Sequence, residues 1–108
     1  MSTSQSTVDY ILDQTNRAGK MYARKMFGEY ALYCNGKVVG LVCDDTLFVK
    51  ITPRGKIFVG RNYYEGYAYK GAKASMMIDG GQIENHEWIS ELISITEASL
   101  PIPKNKNR

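Results

Sequence analysis

The sequence predicts an α+β fold: a two-layer sandwich with an antiparallel sheet and helices on one face, in the order α-β-β-β-β-α-β-α. Three observations predict it. Asn35-Gly36 separates two alternating apolar runs, 29–34 and 37–43, which is the strongest hairpin signal in the chain. Apolar residues recur at helical spacing near both ends, over 6–18 and 85–100. Between them, 46–51 and 75–78 supply further short runs of strand character.

Residues 1–5 are small and polar and are expected to fray. Ser6-Thr7-Val8-Asp9 has the form of a helix start, and Val8, Ile11, Leu12, Thr15 and Ala18 then follow at helical spacing up to the stop at Gly19. Residues 22–26 read as a first strand, with Gly28 as a bend into 29–34. A type I′ turn at Asn35-Gly36 sets Tyr33 opposite Val38, Leu32 opposite Val39 and Tyr30 opposite Leu41, so that Tyr30, Leu32, Val39 and Leu41 share one apolar face. After Cys43 a three-residue loop, 44–46, aligns Leu47, Val49 and Ile51 with Cys43, Leu41 and Val39. A two-residue loop would instead bury Lys50 on that face.

Thr52-Pro53 is a helix cap followed by proline, and Gly60 closes the short helix. Residues 61–72 read as loop with a short extended piece near Tyr67, residues 75–78 as a strand, and Asp79-Gly80-Gly81 as a turn. Asn85 caps a final helix with an apolar stripe of Trp88, Ile89, Leu92, Ile93, Thr96 and Leu100, ended by Pro101. The expected core is Tyr30, Leu32, Val39, Leu41, Val49, Trp88, Leu92 and Ile93. A chain of 108 residues suits one domain, here 1–108, with a flexible basic tail at 101–108.

No apolar run approaches the ~18 residues of a membrane span, and the polar N-terminus lacks the form of a secretory signal. Cys34 and Cys43 lie roughly 20 Å apart along the hairpin, so free thiols and a reducing cytoplasm are expected. The net charge of +3 equals the contribution of Lys104, Lys106 and Arg108. Residues 1–103 balance eleven bases against eleven acids, but the bases concentrate between Arg17 and Lys73 and the acids in the flanks. Acidic helices packed on a basic sheet account for that separation.

Chemistry-bearing patterns are sparse. His86 is the single histidine and falls at a helix start; neither cysteine has a base in the sheet register. Asp44-Asp45 is turn chemistry, and the glycines from Gly66 to Gly71 lack the spacing of a phosphate loop. No catalytic, cofactor or metal residue is assigned. Two stretches qualify as partner-binding surfaces. One contributes Arg24, Lys25, Phe27 and Glu29; the other contributes Tyr63, Tyr64, Tyr67 and Tyr69, flanked by Arg61, Lys70 and Lys73. The competing assignment makes Met26 and Phe27 core residues and the tyrosines a cover for the sheet edge.

Three segments resemble the N-terminal domain of TfoX/Sxy proteins over roughly residues 6–100. They are Thr7-Val8-Asp9-Tyr10-Ile11-Leu12-Asp13-Gln14, Arg24-Lys25-Met26-Phe27-Gly28-Glu29-Tyr30-Ala31-Leu32-Tyr33 and Leu41-Val42-Cys43-Asp44-Asp45-Thr46-Leu47-Phe48-Val49-Lys50. The resemblance implies a two-layer α+β sandwich and a bacterial, cytoplasmic regulator of natural competence that acts on transcription as a coactivator with the cyclic-AMP receptor protein. It transfers no catalytic residues, and the longer members carry a second, C-terminal domain outside this stretch. The expectation is therefore a stand-alone regulatory module that binds a protein partner, such as a transcription regulator, without chemistry, cofactor or membrane. The alternative is a nucleic-acid-binding domain using the basic sheet and the tyrosine-rich loop. In either case weak, non-specific nucleic-acid contact is expected from the tail.

Overall fold

The computed structural model describes residues 3–26 and 28–102. Strands β2 (Glu29–Cys34) and β3 (Lys37–Cys43) meet at the Asn35-Gly36 turn, whose φ values of 53° and 84° are those of the expected type I′ hairpin. Tyr33 faces Val38 as expected. A bulge then intervenes: Leu32 pairs with Gly40, Ala31 with Leu41 and Tyr30 with Val42. The extra residue is Val39, and it reverses the parity of the rest of β3. Leu41 thus leaves the helix-covered face, Val42 takes its place, and the expected Tyr30–Leu41 pairing is corrected.

The next turn corrects a second expectation. Asp44 and Asp45 both take positive φ, 52° and 58°, and form a two-residue loop, with Cys43 opposite Thr46. Aspartate tolerates this left-handed conformation because its short side chain hydrogen-bonds locally. Strand β4 (Thr46–Val49) therefore starts one position earlier in register than the three-residue loop implied. The two departures cancel at Leu47 and Val49, which are buried as expected, opposite Val42 and Gly40. Lys50 escapes burial: the strand stops before it, its N–H bonds Val39 O at 2.9 Å, and its side chain is exposed. Ile51, expected to line up with Val39 on the apolar face, is at the surface.

Among the described residues the sheet has six strands in the order β1-β2-β3-β4-β6-β5, every pairing antiparallel. The outermost strands are β1 (Met21–Met26) and the short β5 (Glu65–Tyr67); β6 (Ala74–Ile78) lies between β5 and β4. Helix α2 (Pro53–Val59) has the predicted cap, Thr52 Oγ1 accepting from Gly55 N at 3.0 Å. The stretch read as a plain turn at Asp79-Gly80-Gly81 opens a helix instead, α3 (Gly80–Glu84), with a complete capping box between Asp79 and Gln82. Helix α4 (His86–Ser99) is capped by Asn85 as expected. The four α-helices among the described residues cover one face, where Val8, Ile11, Leu32, Val39, Val42, Leu47, Val49, Leu92 and Ile93 are buried together. Trp88 is half-buried at the margin of this core, stacked on Phe58 with centroids 5.4 Å apart.

The first described residues, Thr3 and Ser4, are hydrogen-bonded to the rest of the fold. Helix α1 is Gln5–Gln14, capped by Ser4 rather than Ser6, and a separate turn of 3-10 helix spans Asn16–Ala18. Thr3 is buried: its hydroxyl donates to Glu29 Oε1, with Val42 O as a longer alternative acceptor at 3.2 Å, and accepts from Asp45 N. Asp45 accepts from the Ser4 backbone N–H at 2.9 Å, which with the neighbouring hydroxyls holds its carboxyl below the usual range. These bonds lock the β3–β4 turn onto the start of α1.

Charge separation between sheet and helices produces one well-shielded contact. Lys37 Nζ pairs with Glu97 at 2.9 Å and also donates to the carbonyls of Glu97 and Leu100, tying the hairpin to the C-terminal end of α4. The other ion pair among the described residues, Arg17–Glu87, is solvent-exposed at 3.7 Å.

Candidate interaction surface

The helices leave the second face of the sheet uncovered, and sheet parity decides what lies there. Tyr22, Arg24 and Met26 of β1, Ala31 and Tyr33 of β2, Leu41 and Cys43 of β3, Phe48 of β4 and Met77 of β6 all point to it. Tyr22 and Tyr33 stack across the β1–β2 pair, with ring centroids 4.8 Å apart and planes within 5°. Near Met26 a cleft of about 290 Å³ is lined by Met26, Glu29, Tyr30, Leu41, Cys43 and Tyr69. Tyr69 reaches it from the β5–β6 connection and is itself mostly exposed.

The seven described residues among the eight sequence-predicted ones do not form one site. Arg24 and Lys25 lie on β1 at one edge, both exposed, and successive strand positions send them to opposite faces. Tyr67 lies on β5 at the far edge, five strand spacings or roughly 24 Å away. Tyr64 and Tyr67 project into solvent. Tyr63 turns inward: its hydroxyl donates to Glu65 Oε2 at 2.6 Å and Lys56 Nζ sits 4.9 Å from its ring centre. Burial and the Glu65 carboxylate push the Tyr63 phenol up to about 12. Phe27 lies outside the described residues. Glu29 and Tyr69 do come together, at the cleft. Glu29 also serves the fold, since its Oε1 accepts from Thr3 Oγ1 and from Asp44 N.

The cleft residues Met26, Leu41 and Cys43 are absent from the sequence-based candidates because the hairpin register used there put Leu41 in the core. The signal that could have revealed them is Gly40, a glycine inside an otherwise apolar strand run and so a mark of a bulge.

Cys43 has the wrong electrostatics for a nucleophile. Burial, reinforced by Glu29, pushes its thiol up from the ordinary cysteine value. Burial also raises Cys34, with Glu97 adding to the effect and Lys37 opposing it. Cys34 belongs to the core and Cys43 to the opposite face; both are free thiols. Among the described residues no group of three or more His, Cys, Asp or Glu side chains could hold a metal ion. None of the described helices is long and apolar enough to cross a membrane.

A family model described as the TfoX N-terminal domain matches residues 13–96. The chain belongs to the TfoX N-terminal domain family. A similar curated protein is 36% identical over 104 residues, covering 96% of this chain and 89% of its own length; it is described as an uncharacterized 12.7 kDa protein in the trpE 5′ region of Spirochaeta aurantia. The family match spans the meander, the whole connection through α2, β5 and β6, and most of α4, so this TfoX N-terminal domain contains both the open sheet face and its β1 edge. Family membership suggests a TfoX-like regulatory role.

Proposed function

We propose that this TfoX N-terminal domain is a non-catalytic cytoplasmic module that regulates transcription, in the manner of competence regulators, by binding a protein partner. The observation that carries the choice of a protein over a nucleic acid is the distribution of the exposed cations and tyrosines. Arg24 and Lys25 point to opposite faces of an edge strand, so that of the two only Arg24 shares a face with Tyr22 and Tyr33, while Tyr64 and Tyr67 stand at the other edge. A nucleic-acid site needs phosphate-binding cations and stacking rings on one surface. An edge strand with uncommitted backbone and mixed apolar and cationic side chains fits a polypeptide better. Family membership supports the regulatory part of the reading.

A salt titration on duplex and single-stranded DNA tests this choice. With residues 1–103 formally neutral, only Lys104, Lys106 and Arg108 remain as uncompensated charge. Three phosphate contacts imply weak, sequence-independent binding with a log–log salt slope no steeper than about −3. Truncation after Pro103 is expected to abolish it. Retention of micromolar affinity by the truncated chain at physiological salt, lost on Arg24→Ala with Lys25→Ala, would make the sheet a nucleic-acid site.

A further inference from the structure

We propose that the free edge of β1 is a strand-addition site for an extended segment of a partner protein carrying two adjacent acidic residues. The inference rests on the protein-binding reading above and names the partner's chemistry.

Hydrogen-bond alternation identifies which backbone groups the edge offers. Asn35 N donates to Lys20 O at 2.9 Å, so Lys20 and Asn35 form a hydrogen-bonded pair at the end of the β1–β2 ladder. In an antiparallel pair such positions alternate with non-bonded ones. Continuing the register, Tyr22–Tyr33, Arg24–Ala31 and Met26–Glu29 exchange backbone hydrogen bonds, and Met21–Cys34, Ala23–Leu32 and Lys25–Tyr30 do not. The N–H and C=O groups of Met21, Ala23 and Lys25 therefore point outward, away from β2. No described strand pairs with them. The edge runs for six residues, roughly 20 Å, whereas the opposite edge strand β5 has three residues. Short edges are poor templates for a further strand; long ones are good.

Charge selects the occupant. Arg24 and Lys25 have no carboxylate within 4.0 Å among the described residues. Glu29, diagonal to Arg24 on the same face, is turned toward Thr3 and Asp44 instead. Basic side chains on an edge normally prevent edge-to-edge association. Here they act selectively: a second copy of this chain would bring Lys20, Arg24 and Lys25 from both copies to one seam, while a segment with acids at two successive positions would meet Arg24 on one face and Lys25 on the other. Tyr22 beside Tyr33, and Met26, give the partner's neighbouring side chains an apolar bed on the open face.

The test uses the full chain, isotope-labelled, and a capped synthetic peptide of about eight residues with alternating Thr and Val around a central Glu-Glu, together with its Lys-Lys twin. Hydrogen exchange at Met21, Ala23 and Lys25 is expected to be fast in the free protein and at least about tenfold slower with the Glu-Glu peptide. The Glu-Glu peptide is expected to bind at least about tenfold more tightly than its twin, and Arg24→Glu with Lys25→Glu to invert that order. Ala23→Pro removes an outward N–H with no ladder partner, so it is expected to leave the melting temperature nearly unchanged and to abolish binding. Equal affinity for the two peptides, protection elsewhere, or no binding at about 1 mM peptide overturns the proposal. So does a cellular partner that still binds the Ala23→Pro protein, an outcome that leaves the protein-binding reading intact.

Discussion

Replacing Leu32 by alanine will destabilise the fold by about 2–5 kcal/mol, while the same replacement at Leu41 will cost about 1 kcal/mol. Leu32 is fully buried on β2, between β1 and β3, within the core formed with Val39, Val42, Val49 and the helices. Truncation there leaves a cavity whose walls belong to the sheet and to α4, elements that cannot collapse independently. Leu41 is half-buried on the face without helices and lines an open cleft, so neighbouring side chains and water can fill the space. Denaturant melts of the two variants separate the bulged register from a regular one, in which both residues would share a face and show comparable losses. Comparable losses would remove the bulge from the account.

Gly40→Ala will be about as damaging as Leu32→Ala, at about 3 kcal/mol, although it adds only one methyl group. A Cβ at Gly40 would lie 2.2 Å from the carbonyl oxygen of Phe48. That atom is backbone, so relief requires β3 and β4 to separate where Gly40 pairs with Val49. The amide of Lys50, bonded to Val39 O just beyond this point, should lose exchange protection in the variant. Gly80→Ala serves as the control: nothing lies within 4 Å of its Cβ position, and its effect should stay within about 0.5 kcal/mol.

These two residues show where the sequence was legible. Turn chemistry, caps and helical periodicity are local, and they identified the Asn35-Gly36 hairpin, α2, α4 and the two-layer architecture. A bulge is decided by competition between whole registers. Alternation in Lys37-Val38-Val39-Gly40-Leu41-Val42-Cys43 is nearly degenerate, because almost every residue is apolar and either face is chemically acceptable. Burying Val42 with Leu47, and letting two aspartates adopt positive φ, outweighed the regular pairing. The misplacement of Leu41 followed, and with it the cleft went unseen.

The candidate surface was legible in part for the same reason. Arg24 and Lys25 stand out as bases beside apolar groups, but only the strand order shows that they occupy a free edge. The tyrosines of 63–69 stand out as a cluster along the chain, but the fold disperses them: Tyr67 lies a full sheet width from β1, whereas Tyr69 reaches the cleft beside Met26. Lys37 carries no sequence mark that distinguishes it from the other lysines; its contact with the end of α4 depends on residues sixty and more positions away.

The central claim is that this TfoX N-terminal domain acts by holding a protein partner. Affinity capture of the tagged full chain from its own cells, with nuclease treatment before elution, tests it most directly. A protein is expected to be recovered in near-stoichiometric amount, unaffected by nuclease and reduced at least about tenfold by Arg24→Glu with Lys25→Glu. Recovery of nucleic acid together with proteins that all disappear after nuclease treatment would contradict it.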